Sequence, residues 1–263
     1  MPCPYSAELV SIEGTDAIAF AQAQFSSNLA SLADGRWQFS AWLDAQGRVK
    51  FLFHLVRLDA QRLLLLLRGG QAEALAIELR RYVFRAKAAI TPHAARPLGT
   101  GSPLPLYAAK QTGDALVVGC GPYSLKVDAA TDGNWRLAQL RTSWPWLPES
   151  LAGEMLPAWL GLGTLGATSL DKGCYPGQEI VARMHYRGGS KRHLHHVRLS
   201  RVVPPGSVLD VHGLAAIQLL DVVPVDATAE ALAVVHEDAQ TRLASGIEAI
   251  HGGQPLAVLG IER

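Results

Sequence analysis

The chain alternates between two kinds of apolar spacing, and the first appears at once. From Leu9 it reads LVSIEG, a short strand, and then TDAIAFAQAQFSSNLASL, where Ile18, Ala21, Phe25 and Leu29 recur at helical intervals. That spacing predicts an amphipathic helix, with Thr15 placed to cap it and Asp16 near the positive end of its dipole. In WQFSAWLDAQGRVKFLFHLVRLD, strand-forming residues flank Asp44-Ala45-Gln46-Gly47, which predicts a β-hairpin with a glycine in its turn. The unbroken run Arg62–Leu67 reads as a strand buried on both faces, ending at Gly69-Gly70. A helix over 71–82 follows, with Leu75, Leu79 and Tyr82 on one face, and VFRAKAAIT returns to a strand.

Punctuation then changes. Four prolines (Pro92, Pro97, Pro103, Pro105) and two glycines between Thr91 and Pro105 mark a crossing segment or boundary. ALVVG and YSLKVD are short strands ahead of Trp135, and TSWPWLPESLAGEMLPAWLGLG reads as an irregular loop that packs. Beyond Gly189, short apolar runs are broken by Pro204-Pro205-Gly206, His212-Gly213, Ser245-Gly246 and Gly252-Gly253, the pattern of a small all-β module. The fold class is α+β, with the β module after about residue 190.

Composition narrows the function. With 49% hydrophobic and 18% charged residues in 263, the chain has ample material for a core, and disorder is excluded. A net charge of +1 argues against a surface built throughout for nucleic acid. Three scattered cysteines (Cys3, Cys120, Cys174), with no CxxC pair, are no disulfide framework, dithiol or local zinc knuckle, and suit a reducing compartment. They also do not cluster as thiolates holding an iron–sulfur centre would. The opening MPCPYSAELVS has no secretory pattern, and the longest apolar run, Leu63–Leu67, falls far short of the roughly 20 residues of a membrane span. The expectation is a cytoplasmic protein with no membrane contact.

The chemistry concentrates in DKGCYPGQEIVAR, Asp171 to Arg183. A lone cysteine is most often a small buried apolar residue, yet Cys174 stands among turn residues, charges and amides. Pro176-Gly177 makes a turn, and Gln178 to Met184 reads as a short helix with Glu179 in its first turn. A helix start just after the thiol, and Lys172 two residues before it, both favour a thiolate. From Ile180 to Leu209 there are six basic residues (Arg183, Arg187, Lys191, Arg192, Arg198, Arg201) and no acidic ones. This is either a solvated face or a local anion site. His193, His195 and His196 lie within it, but no acidic or thiol partner stands nearby in sequence, so no metal site is assigned.

KGCYPGQE with Arg183 four residues on, followed by YRGGSKRHL, resembles the signature of the YgfZ family, folate-binding proteins related to the T protein (aminomethyltransferase) of glycine cleavage. The pattern K-G-C-Y-x-G-Q-E matches at every fixed position from Lys172 to Glu179. IEGTDAIAFAQAQFSSNL, LDAQGRV and LRRYVFRAKAAI extend the likeness over nearly the whole chain. The resemblance implies a three-part cloverleaf of the aminomethyltransferase type with a central folate channel and a small C-terminal β-barrel. The parts would be 1–35 with 106–189, an inserted α+β domain 36–105, and 190–263. It implies tetrahydrofolate as cofactor and a role in maintaining iron–sulfur enzymes, including tRNA-modifying ones, through Cys174, with Lys172 beside it. Trp135 stands where the family has a pterin-stacking aromatic. Gln24, Tyr175, Gln178, Glu179 and Arg183 are the further folate contacts assigned. Arg187, Lys191 and Arg192 suit the polyglutamate tail of a cellular folate. No cluster is ligated by this chain alone, the partners are iron–sulfur client or assembly proteins, and the chain is expected to be a monomer.

Two departures qualify this. Asn28 stands where the family often has an acid, and Lys50-Phe51 stands where the T protein carries an Asp-Asp pair. An ammonium cannot do that carboxylate's work near neutral pH, so transfer of a methylene group in glycine cleavage is not expected. The alternatives are a folate-dependent one-carbon transferase acting on another amine, with Asp44, Glu149, Glu154 or Glu179 as base, and an RNA-binding module using the basic stretch, against which the near-neutral net charge and the absence of aromatic repeats count, so tRNA contact is not expected.

Overall fold

The computed structural model describes residues 6–129, 134–244 and 248–262; Cys3, the N-terminal five residues and the Ser245-Gly246 turn lie outside them. In chain order it has β1 (Ser6–Ala7), β2 (Leu9–Glu13), α1 (Ala17–Gln24), β3 (Arg36–Leu43), β4 (Val49–Asp59), β5 (Arg62–Leu67), α2 (Ala72–Arg80) and β6 (Ala89–Pro92). Next come β7 (Arg96–Gly101), β8 (Ala109–Thr112), β9 (Ala115–Gly119), β10 (Ser124–Val127) and α3 (Asn134–Arg141). After a long irregular stretch, α4 (Gln178–Arg187) leads into β11 (Arg192–Leu199), β12 (Val208–Val211), β13 (Leu214–Val225) and β14 (Thr228–His236). The chain closes with α5 (Glu237–Ala244), β15 (Ala249–His251), β16 (Gln254–Leu256) and β17 (Val258–Glu262).

The first sheet, ordered β3-β4-β5-β2-β6, is antiparallel and covered on both faces. Leu63, Leu65 and Leu67 face α1 and α2, packing with Phe20, Ala21, Leu75 and Leu79. Leu64 and Leu66 face the opposite way, into a core shared with Leu98, Leu116, Val118 and Leu125 of the second sheet. Period-two alternation between two buried faces explains why β5 reads as uninterrupted leucine. Each fully buried leucine contributes roughly 1.5–3 kcal/mol. Beyond β5, the buried Arg68 guanidinium donates to the carbonyls of Pro145 (2.8 Å) and Trp144 (2.8 Å), which fixes the aromatic loop.

The second sheet is ordered β1-β7-β10-β9-β8. Because β2 pairs with β5 and β6, and β7 with β1 and β10, strands are exchanged across the expected boundaries at 35/36 and 105/106. The proline- and glycine-rich crossing segment itself supplies β7, with Pro97 near the strand start where a missing donor is tolerated.

The third sheet, β16-β15-β12-β13-β14-β11-β17, lies wholly within 192–262 and curls as a half-barrel, with register shifts at Arg198/Leu199, Leu209/Asp210 and Leu219/Asp221. Among the described residues no pairing joins β16 to β17, so the small barrel expected here is an open curled sheet, with Ala239 of α5 buried in its core. α3 is clipped to this sheet: Arg136 Nη2 lies 2.5 Å from Asp221 Oδ1, and Arg141 makes a forked contact with Glu230 (2.9 and 2.5 Å). These pairs join the irregular middle of the chain to its last third.

Three local expectations shift. α1 stops at Gln24, because Phe25 is extended and Ser26 turns to bond elsewhere. Asp16 holds the cap position rather than Thr15, and its carboxylate accepts the Lys87 N–H (2.7 Å) instead of a helix donor. α2 ends at Arg80, leaving Tyr82 half exposed rather than on the buried face.

Candidate functional site

The signature segment is built around a backbone contact. Gly177 is the N-cap of α4 at φ +74°, and Gly47 in the β3–β4 hairpin sits at φ +73°. A Cβ on Gly177 would lie 2.6 Å from both Asp44 O and Gly47 Cα, and one on Gly47 would lie 2.7 Å from Ile180 Cβ. The hairpin tip and the start of α4 therefore meet at a distance only two glycines permit. Gly173, by contrast, has open space around it.

Lys172 and Tyr175 fix the segment ahead of that seam. The Lys172 ammonium donates to the carbonyls of Phe25 and Ser27 (2.8 Å to the latter), and lies 5.0 Å from the centroid of the Tyr175 ring. Ser26 completes the clamp: its Oγ donates to Ala167 O (2.6 Å), and its carbonyl accepts the Ser169 N–H (2.8 Å). Burial pushes the Lys172 amine down to about 8; the two carbonyls favour the ammonium, but desolvation outweighs them. Burial likewise pushes the Tyr175 phenol up to about 12. The Lys172 ammonium is thus tied to two carbonyls just past the end of α1. Cys174 itself is exposed, three residues before the α4 cap.

A cavity of about 540 Å³ opens beside α4, within the range of small-molecule sites. Leu156, Pro157 and Ala158 form one wall, and Ile180, Val181, Met184 and His185 the other, with Asp171 and Ser169 at the polar end. Asp171 and His185 were missed as candidates. The periodicity of α4 held the clue, since Ile180, Val181, Met184 and His185 fall at i, i+1, i+4 and i+5 on one helix face.

No protein-family model matches the chain. Sequence relatives bear the description "tRNA-modifying protein YgfZ". That of Edwardsiella ictaluri is 28% identical over 89% of this chain and 87% of its own length. That of Sodalis glossinidius is 25% identical (76% and 71%), and that of Klebsiella pneumoniae 26% identical (71% and 67%). The chain is a homologue of the YgfZ proteins. Its fold is similar to that of the glycine cleavage system aminomethyltransferase T from Bartonella henselae, with a TM-score of 0.66 at 18% identity, covering 96% of this chain and 82% of the other.

Of the residues carried over from the YgfZ resemblance, Lys172 and Tyr175 meet at the clamp, and Gln24 is the last residue of α1. Gln24 Oε1 and Tyr175 Oη are buried without a protein partner among the described residues. Gln178 and Glu179 form the first turn of α4, and Arg183 and Arg187 project from it, exposed. Lys191 pairs with Glu237 (3.7 Å), and the Arg192 guanidinium lies 5.5 Å from the Trp159 ring centroid. Trp135 stands apart: it is on α3, 1% exposed, and its ring packs against Trp146 at 5.6 Å. Lys50 pairs with Glu78 on α2 and lies over Trp42. Of the carboxylates considered as a base, Asp44 closes the hairpin turn, Glu154 pairs with Arg48 and Glu149 bonds Gln71. His196 does meet an acid, Glu230 at 2.8 Å, brought to it by the pairing of β11 with β14. Among the described residues no three or more His, Cys, Asp or Glu converge as a metal site, and no helix is long and apolar enough to cross a membrane.

Proposed function

We propose that this chain is a tetrahydrofolate-binding accessory protein of the YgfZ type, which supports tRNA modification by maintaining iron–sulfur enzymes and acts through Cys174. The observation that carries the reading is an exposed thiol on a segment fixed at both ends, by the Lys172 clamp before it and the Gly177–Gly47 seam after it. A cysteine filling a core would be buried, as Cys120 is, where burial raises the thiol to about 11. The fold likeness to an aminomethyltransferase and the sequence likeness to tRNA-modifying YgfZ proteins support the same assignment. The three-lobed arrangement around a folate site belongs to this proposal.

The residues present fit a folate. Two apolar walls about the cavity beside α4 suit a flat ring system, and the Asp171 carboxylate is an acceptor for the N–H groups of an aminopyrimidinone edge. Gln24 Oε1 and Tyr175 Oη are further buried polar atoms without a partner among the described residues, and the exposed Arg183 and Arg187 suit glutamate carboxylates. Bound tetrahydrofolate supplies a carrier of one-carbon units. The chain's own contribution is to hold the ligand, keep the Lys172 ammonium against two carbonyls, and present Cys174 to a client protein. With Lys50 engaged by Glu78, the hairpin carries no carboxylate for amine chemistry at that position.

The test is complementation of a strain lacking its own YgfZ, read by the level of a tRNA modification made by an iron–sulfur enzyme. Wild type restores it and Cys174→Ser does not, while Asp171→Asn lowers tetrahydrofolate affinity in a direct binding titration. A serine variant that restores modification in full overturns the assignment.

A further inference from the structure

Away from this site, the end of α2 presents an unusual surface. Phe84 is 91% exposed, with Tyr82 at 51% and Ile77 at 47% beside it. Arg81 and Arg85 bracket the two aromatics in the order Arg-Tyr-Val-Phe-Arg, and both are exposed. Neither arginine side chain has a hydrogen bond or ion pair among the described residues. Carboxylates close in sequence or space are already engaged: Glu78 by Lys50, Glu73 by Arg80 (4.0 Å), and Asp16 by the Lys87 N–H. From Leu79 to Gly113 the chain has no acidic residue at all. The Tyr82 ring is held edge-on against Trp42 at 5.9 Å, which limits its freedom and leaves it presented to solvent.

We infer that this patch is an RNA-docking surface, stacking Phe84 and Tyr82 on bases of an unpaired loop while Arg81 and Arg85 meet the adjacent phosphates. Flat π faces flanked by cations without a partner among the described residues are the chemistry of single-stranded nucleic-acid contacts. An apolar protein partner would call for a wider continuous hydrophobic area, and here the short Tyr82-Val83-Phe84 run is closed off by an arginine on each side. The basic stretch after α4 is the weaker candidate. It is divided between a helix and a strand, and Lys191 and Arg192 within it already have partners. With a net charge of +1, binding rests on this local field and is sensitive to salt. The inference goes beyond the role of Cys174 and does not depend on it, because binding is read without any turnover.

The test uses the full chain and a fluorescently labelled, unmodified tRNA transcript, with a fully duplex RNA of equal length as control, followed by anisotropy at 50 to 200 mM salt. The tRNA is expected to bind more tightly than the duplex. Phe84→Ala, at a position too exposed to affect folding, is expected to weaken binding by about 5- to 150-fold. The double variant Arg81→Ala/Arg85→Ala is expected to make the slope of log affinity against log salt shallower by about 1.4. Affinity within twofold of wild type in Phe84→Ala, or no binding to tRNA at 50 mM salt, overturns the inference.

Discussion

Replacing Gly177 with alanine asks two things of the chain that glycine does not. The first is to hold a side chain at φ +74°, which costs roughly 1–2 kcal/mol for an L residue. The second is to accommodate a methyl 2.6 Å from Asp44 O and Gly47 Cα, both of them backbone atoms of a hairpin that is itself tied into the first sheet. Neither can swing aside as a flexible side-chain tip would, so the seam has to open, and overpacking of this kind costs about 1–3 kcal/mol. The expected destabilisation of Gly177→Ala is therefore about 2–5 kcal/mol, a large share of the ~5–15 kcal/mol typical of a folded domain. Gly173, four residues earlier in the same signature, has nothing within 4 Å of a Cβ and no left-handed φ. Gly173→Ala should stay within about 0.5 kcal/mol of wild type. Gly47→Ala, which breaks the same seam from the other side, should combine with Gly177→Ala less than additively, because the second methyl enters a gap the first has opened. Urea unfolding followed by circular dichroism measures all four variants. A Gly177→Ala protein as stable as wild type, or a Gly173→Ala protein equally damaged, would refute the steric account of the signature glycines.

Two further outcomes follow from buried groups. Between about pH 8 and 10 the native Lys172 releases a proton that the unfolded chain, with its ordinary value of 10.5, still holds, so stability rises with pH across that window. Lys172→Met should flatten the rise in urea midpoints, which is modest because the amine keeps some solvent access; an unchanged pH profile would count against the clamp. Trp135→Ala should cost about 3–5 kcal/mol with no ligand present, and Trp135→Phe much less, since the indole is a core residue against Trp146. A ligand-free melting temperature for Trp135→Ala within 1 °C of wild type, to the order expected from ~2–4 °C per kcal/mol, would instead leave the indole to folate alone.

The legible parts of the fold are those whose determinants are close in sequence. The leucine run of β5, the hairpin around Gly47 and the start of α4 after Pro176-Gly177 all declare themselves through spacing and turn chemistry. The end of α1 does not: Phe25 and Leu29 keep helical spacing, but Ser26 bonds Ala167, 141 residues away. Trp135 was equally opaque, since nothing local says whether an indole lines an opening or fills a core. Lys172 was read as a neighbour of Cys174 because they are two residues apart, yet its ammonium finds carbonyls about 145 residues earlier.

The sequence by itself determined the α+β class, a strand-rich end, the thiol segment and the likeness to YgfZ, because each is carried by local pattern or by a motif of eight contiguous residues; α5 within that end corrects the all-β expectation. Only the tertiary structure decided that β2 and β7 exchange between sheets, that Gly47 and Gly177 share one contact, and that Asp171 and His185 face a common cavity. It alone left Phe84 bare beside two arginines without a partner among the described residues. The reason is one of range. Propensity and periodicity act over a turn or two of chain, whereas the choice of which strand, carbonyl or glycine meets another is made by packing between segments that the sequence holds far apart.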